Sequence, residues 1–291
     1  MLCNLNYGII GLGIMGGSFA RAIQENILEV KEATGKIYAC DRNEYSLKEA
    51  LKYSVIDEGF SPENVDEMLK KCDVVIICLY PALIVDFMKE HKTAFKKGAI
   101  VTDISGVKAI YKNHFDEFET GDYDFIVGHP MAGGEKEGFV AAKGEYFKNH
   151  NYLLLPRSTN KPENLNLLRE LIYSIGFSKI TDTDIDTHDY NIGFTSQLCH
   201  VVASAMVLSA PNDEITAFGG GSFEDLTRIA MINAPLWTEL FLENKDKLLP
   251  HIKNLGDQLK LFEEMIQNDE REKMEDVLRN VRLHRQAMQA K

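Results

Sequence analysis

Positive charge is scarce in this 291-residue chain, where 32 Lys and Arg face 44 Asp and Glu for a formal net charge of −12. A nucleic-acid surface needs clustered Lys and Arg, and no such cluster occurs, so that class of partner is excluded. Long apolar runs are missing as well. No stretch approaches the ~18 uninterrupted residues of a membrane span, and Asn4 and Asn6 interrupt the N-terminus before a secretory core could form. The expectation is a soluble, cytoplasmic protein without a membrane partner. The cysteines Cys3, Cys40, Cys72, Cys78 and Cys199 are odd in number and scattered, which argues against both a disulfide framework and a zinc site. They read as small core residues. With 45% apolar residues, what remains is enough for a sizeable core, and the length favours two domains.

The first of these is announced by a short apolar run, Tyr7-Gly8-Ile9-Ile10, that ends in Gly11-Leu12-Gly13-Ile14-Met15-Gly16 and continues into good helix formers from Ser18. In such a strand, glycine turn and helix, Gly11 permits the tight turn, Gly13 lets the backbone approach a pyrophosphate, and Gly16 lets helix and strand pack closely. The helix N-terminus then offers unpaired N–H groups and a positive dipole end to phosphates. Glycine-rich turns also occur as plain strand-helix connections, so the context matters. Lys36 to Cys40 reads as a second strand ending at Asp41, close to the spacing of about 20 residues expected for an acid that binds a ribose 2′-hydroxyl. A carboxylate there favours NAD over NADP, whereas Arg42 beside it is the group that would pair with a 2′-phosphate.

The rhythm continues through Asp73 to Leu79, Ala99 to Asp103 and Phe125 to Gly128. Continuous apolar strands of this kind belong to a parallel sheet buried on both faces, and ligands bind at its carboxyl edge. Tyr80-Pro81, Asp103-Ile104-Ser105-Gly106 and His129-Pro130 close three of these strands and should line one crevice. Ser105 is equally suited to capping a helix running from Val107 towards Phe118. Pro130, Gly133 and Gly134 predict a loop that aims His129 into the crevice, where an imidazole is a candidate base.

Tyr152 to Pro156 closes the first half as a last strand, with Arg157 to Pro162 as a linker. The reading is α/β: a Rossmann-type doubly wound parallel sheet over residues 1–156, then an all-helical second domain over 157–291. A long helix from about Asp184 to Ala210 sets Ser196, Gln197 and His200 on one face, either as ligand contacts or as mutually satisfied core groups. His188, Asp189 and His200 fit no common metal-ligand spacing, and no metal is expected. Gly219-Gly220-Gly221 is a break, with Ser222 as the expected cap of a helix leading to Arg228. That guanidinium, among apolar neighbours, needs a carboxylate from Glu224, Asp225 or a substrate. Beyond Pro235 the apolar residues recur at helical spacing and suit a homodimer interface.

On residues alone this is an NAD-dependent oxidoreductase acting on a small molecule. A β-hydroxyacid dehydrogenase would place a lysine in the Ser196 to His200 patch, which has none. A nucleotide sensor without turnover would need the glycine turn but not His129, Arg228 and His200.

The segments Gly11 to Gly16, Thr102-Asp103-Ile104-Ser105-Gly106-Val107-Lys108, Gly128-His129-Pro130-Met131-Ala132-Gly133, Ser196-Gln197-Leu198-Cys199-His200 and Asp225-Leu226-Thr227-Arg228-Ile229-Ala230 together resemble the prephenate dehydrogenase family of tyrosine biosynthesis. The resemblance implies oxidative decarboxylation of prephenate to 4-hydroxyphenylpyruvate with NAD+, His129 accepting the C4-hydroxyl proton. It further implies that Arg228 grips a substrate carboxylate and His200 places the pyruvyl chain. Ser105 would meet the substrate hydroxyl or His129, Glu135 and Asp225 would form an ionic network with the arginine, and Trp237 would be an aromatic wall. Two departures stand out. Ser105-Gly106 replaces the usual Gly-Ser, and Gln197 stands where many members have histidine, which bears on the choice between prephenate and arogenate. No segment for a fused chorismate mutase or a regulatory domain is expected, so tyrosine feedback would act at the active site.

Overall fold

The computed structural model describes residues 1–119, 122–134 and 136–289. Eight strands form one sheet: β1 Tyr7–Ile10, β2 Ile37–Cys40, β3 Glu58–Phe60, β4 Val74–Ile77, β5 Ile100–Asp103, β6 Asp124–Pro130, β7 Asn151–Leu155 and β8 Lys179–Asp182. Their order is β3-β2-β1-β4-β5-β6-β7-β8. The first six run parallel in the doubly wound order. Alternate residues of the short apolar strands go to opposite faces, so Ile9, Ala39 and Ile76 join one core while Ile10, Cys40 and Ile77 join the other. Helices α1 Ile14–Ile23, α2 Glu44–Lys52, α3 Val65–Leu69, α4 Pro81–His91 and α5 Phe115–Phe118 cover them.

The sheet extends further than the sequence suggested. After β6 the chain turns back, β7 pairs antiparallel with it, and β8 then adds parallel to β7. Helix α6, Pro162–Ser174, buries Leu168, Leu171 and Ile172 in the same core as β1. Residue 156 therefore lies inside the sheet-bearing part, and the expected change of architecture falls after Asp182. The polar run after Pro156 is no free linker either. Asn160 Nδ2 donates to Asp124 Oδ1 at 2.7 Å and to the Phe125 carbonyl at 2.9 Å, tying the run to the start of β6. Similarly, the expected helix from Val107 to Phe118 is broken into a 3-10 turn at Ala109–Tyr111 and the one-turn α5.

The rest is helical: α7 Ile185–Ile192, α8 Leu198–Leu208, α9 Gly221–Thr227, α10 Ala234–Glu243, α11 Lys245–Gln267 and α12 Arg271–Gln289. Asp184 caps α7 by accepting from the Thr187 N–H, and a π-turn at Gly193–Gln197 joins α7 to α8. The resulting 24-residue helix, Ile185–Leu208, is long and apolar enough by length and composition to cross a membrane, with 28% of its apolar window buried. Helix α9 starts one residue before the expected cap, with Gly220 rather than Ser222 at its N-cap. Residues 1–244 form one compact unit, and 245–291 form a second in which α11 and α12 pack together. Among the cysteines, Cys40 and Cys72 are buried as expected, whereas Cys199 is exposed.

One buried ion pair fastens the ends of β5 and β6. Lys108 and Asp103 are both fully buried, and Lys108 Nζ donates to Asp103 Oδ2 at 2.6 Å. The same ammonium donates to the Gly128 carbonyl at 2.6 Å, while the Gly128 N–H donates to Asp103 Oδ1 at 3.2 Å. The two peptide groups that flank the Gly128 Cα are thus each held by one member of the ion pair. Asp103 Oδ2 further accepts from the Ser105 N–H at 2.9 Å and from the Tyr111 hydroxyl at 2.7 Å. Burial lowers the lysine's pKa and raises that of Tyr111, while the Asp103 carboxylate draws the lysine back towards its charged form. Removing one partner leaves a charge without compensation in the core. Lys108→Met should lower the unfolding free energy by about 3–5 kcal/mol, measured by denaturant titration, and a loss within experimental error would contradict this role.

Candidate active site

Above the carboxyl edge of the sheet, residues of the glycine turn, the ends of β4, β5 and β6, and helices α8 and α10 enclose a cavity of about 750 Å³. Its first wall is dictated by sterics. Gly11 has φ +90°, and a Cβ on it would come within 2.7 Å of the Cys78 carbonyl oxygen. A Cβ on Gly16 would lie 1.8 Å from the Gly11 carbonyl oxygen, so only glycine lets α1 pack this close. At Gly13 a Cβ would meet nothing within 4 Å, and Gly13 is the N-cap of α1 with no side chain satisfying the first N–H groups. That is an open anion-binding helix start facing the cavity. Gly13, Ile14, Met15 and Gly16 line it, and Tyr80 does so from the end of β4. Asp41, at the end of β2, accepts from the Leu12 N–H within the turn and from the Asn43 N–H. Arg42 beside it is exposed.

Asp103, expected to line the crevice beside the cofactor, is not among the residues that line the cavity. It is fully buried beneath the cavity floor and engaged by Ser105, Lys108, Tyr111 and Gly128. Ser105 does reach the cavity, but it caps no helix. Its Oγ donates to the Val107 carbonyl at 2.9 Å and accepts from the Val107 N–H at 3.3 Å, closing a local turn.

His129 lies in strand β6, opposite Leu153 of β7, and not in a loop. Gly128 before it has no room for a side chain, because a Cβ would come within 2.1 Å of the Tyr152 hydroxyl. His129 Nδ1 is 2.9 Å from His188 Nε2, and His188 Nδ1 is 2.7 Å from Asp189 Oδ1. The other nitrogen, Nε2, points towards Gly106, whose Cβ position lies 3.9 Å away, and both residues line the cavity. Burial holds the His129 pKa well below its usual value, and the positive charge of Lys108 and any charge on His188 push the same way. Burial lowers His188 too, against the pull of Asp189.

Across the cavity stand residues of the helical half. His200 stacks on Trp237 with ring centroids 3.6 Å apart, and its Nδ1 lies 3.0 Å from the Ser196 carbonyl. Ser196, His200, Trp237 and Arg228 all line the cavity. Arg228 is exposed at the end of α9, not enclosed by the apolar residues around it in sequence, because the 3-10 turn Arg228–Ala230 carries it off the helix. Asp225 is exposed and outside the lining, and Glu135 lies outside the described residues. Gln197 borders the cavity, yet its side chain is spent on packing. Its Nε2 donates to the Leu240 carbonyl at 2.8 Å and its Oε1 accepts from Asn244 at 2.7 Å. Of the polar helix patch, Gln197 is thus the satisfied core group, while Ser196 and His200 remain with the cavity.

Sequence reasoning weighed His188 and Asp189 only as metal ligands and gave Lys108 no role of its own. Their signal was a His-Asp pair at the buried start of an otherwise amphipathic helix, and a lysine within an apolar stretch. It also missed the link at the cavity rim, where Glu239 of α10 accepts from the Ala82 N–H of α4 at 2.6 Å.

Residues 19–180 match the nucleotide-binding domain of prephenate dehydrogenase, and residues 184–280 match the dimerisation domain of the same enzyme. The chain belongs to the prephenate dehydrogenase family. It is 28% identical to prephenate dehydrogenase of Bacillus subtilis over 246 residues, which is 83% of this chain but 64% of that protein. With prephenate dehydrogenase of Lactococcus lactis subsp. cremoris it shares 30% identity over 253 residues, covering 84% of this chain and 67% of the other. The crystal structure of prephenate dehydrogenase from A. aeolicus, in complex with hydroxyphenyl propionate and NAD+, superposes with a TM-score of 0.85 at 28% identity and covers 98% of both chains. Both halves of the family's architecture, a dinucleotide-type sheet and a helical part, are therefore present, and the cavity lies at their meeting within residues 1–244.

A histidine kept neutral by burial resists protonation at mildly acidic pH. An unfolded chain takes up this proton near pH 6.5, whereas the folded one does so only at lower pH. The stability tied to it is therefore present above about 6.5 and is lost as pH falls below that value. In an NMR titration of the folded protein, His129 should remain neutral as pH passes down through 6.5, the ordinary value. A midpoint at or above 6.5 would contradict the assigned environment.

Proposed function

We propose that this protein catalyses the NAD-dependent oxidative decarboxylation of prephenate to 4-hydroxyphenylpyruvate. The observation that carries the reading is the placement of His129 Nε2 in a cavity that has the glycine turn on one wall and Arg228, His200 and Trp237 on another. NAD+ supplies the hydride acceptor when bound. The residues that would hold it are the first N–H groups of α1 after Gly13 for the pyrophosphate and Asp41, with Arg42 beside it, for the adenosine ribose. An acid in that position supports NAD rather than NADP.

His129 acts as base on the C4 hydroxyl of the ring. As the alcohol carbon gives up its hydride, the hydroxyl proton passes to Nε2, and loss of the ring carboxylate as CO2 then leaves a phenolate. His129 returns the proton to that oxygen, so the step is balanced with no net proton released. Ser105 lies beside Gly106 at the same floor and supports the hydroxyl end. Arg228 provides a bidentate grip for a substrate carboxylate. His200 and Trp237, stacked as one plate, form a wall for the ring and side chain. Ground-state positioning by these groups turns a two-body encounter into a fixed approach.

Arogenate, which carries an amino group in place of the side-chain keto oxygen, is the second reading. Gln197 does not argue for it, since its amide is occupied by Leu240 and Asn244. We further infer a homodimer through the helical half. The match to a dimerisation domain and the exposed Leu208, Phe218 and Leu226 support it.

Product analysis tests the substrate assignment. With NAD+ and prephenate, NADH, CO2 and 4-hydroxyphenylpyruvate should form in equal amounts, with a kcat/KM at least tenfold above that for arogenate. Tyrosine as the main product of the better substrate would overturn the preference.

A further inference from the structure

The buried pair His188 and Asp189 is not used by the chemistry just described, yet it ends on the reacting histidine. Both side chains are about 1% exposed, so water does not satisfy them. Asp189 accepts from every partner it has: the Lys108 N–H at 3.0 Å, the Ala109 N–H at 2.7 Å and His188 Nδ1 at 2.7 Å. A carboxylate that only accepts obliges His188 to carry its proton on Nδ1. His188 Nε2 is then a lone pair, and the group facing it at 2.9 Å, His129 Nδ1, must be the donor. The proton of neutral His129 is thereby assigned to Nδ1, and Nε2, on the cavity side, is left free to accept.

We propose that Asp189 and His188 are positioning residues that set the tautomer of His129 and stabilise the imidazolium it becomes when it takes a proton from substrate. This rests on the functional reading above for the identity of the proton donor, but not for the tautomer. The logic is that of a base oriented by a third group, with a second imidazole inserted between base and carboxylate. The proton stays on His129, and His188 accepts the Nδ1–H throughout. The fold fixes the spacing from two directions. His129 is held by the β6·β7 ladder and by the clamped backbone on both sides of Gly128. His188 and Asp189 sit in α7, whose carboxylate in turn holds the backbone at Lys108 and Ala109 after β5. Lys108 and Asp103 are the other charged groups at this spot. Their mutual contact at 2.6 Å leaves the Asp189 carboxylate as the anion in direct line with the two imidazoles.

The test begins with the unaltered protein. At pH 7.5 and without substrate, 15N NMR of labelled histidines, assigned through His129→Asn, should show Nδ1 protonated and Nε2 unprotonated for His129, with the same tautomer for His188. A proton on His129 Nε2 would overturn the proposal. In variants, His188→Gln keeps an acceptor for the Nδ1–H, whereas His188→Leu removes it. His188→Leu should shift His129 towards a mixture of tautomers and lower kcat on the order of 100-fold with the KM for prephenate unchanged. His188→Gln should restore the Nδ1–H form and most of that loss. Equal defects in the two variants, with His129 still in its original tautomer, would reduce His188 to packing and overturn the proposal. If no turnover of prephenate occurs at all, the functional reading fails, and the tautomer spectra alone decide for or against the role of His188.

Discussion

The ion pair between Asp103 and Lys108 is the contact on which the site depends. Two charges removed from water are stable only when their remaining hydrogen bonds are filled. Here they are filled by the Gly128 peptide, the Ser105 N–H and the Tyr111 hydroxyl. Because the Gly128 N–H is held by the Asp103 carboxylate and the Gly128 carbonyl, in the following peptide, by the Lys108 ammonium, the next residue, His129, has little freedom. The same pair therefore joins strand ends β5 and β6 and sets the imidazole at the cavity floor. Glycine at 128 is part of this arrangement, since any side chain there would collide with Tyr152.

Around this anchor the polar groups are sorted by depth. Asp103, Lys108, Asp189 and His188 are buried and mutually saturated, whereas Arg228 and Asp41 sit nearer the surface. Burial keeps His129 uncharged until a proton arrives at Nε2, and the line through His188 to Asp189 accepts the Nδ1–H that it already carries. A nearby cation, Lys108, opposes charging, so in the proposed reaction His129 would readily return a proton it accepts. That suits a reaction in which a hydroxyl proton is taken and then given back to the same oxygen.

Much of this was legible in the sequence, and what was not has physical reasons. Gly11, Gly13 and Gly16 were readable because each has a separate steric or electrostatic duty that no other residue performs. The apolar strands β1, β2, β4, β5 and β6 were readable because both their faces are buried. Strands β3 and β8 were not. One is three residues long and both have partly exposed faces, so their polar residues look like loop. Pro130 and two glycines argued for a loop at His129, but the residues up to Pro130 can still pair with β7, since it is the later glycines that end the strand. His188 and Asp189 were weighed as metal ligands and set aside on their spacing, and their contacts went unread because His129 is 59 residues from His188 and Ala109 is 80 from Asp189 in sequence. The resemblance to the family pointed to His129, Arg228, His200 and Trp237, which line one cavity, but not to His188 and Asp189 behind His129.

The measurement closest to the centre of this account compares the unaltered protein with His129→Asn under saturating NAD+ and prephenate. Asparagine preserves a hydrogen-bonding side chain but cannot accept the hydroxyl proton. The account predicts a fall in kcat of about 10²–10⁴-fold, with the Kd for NAD+ and the KM for prephenate little changed. A variant that turns over within a few-fold of the original would contradict the assignment of His129 as the base.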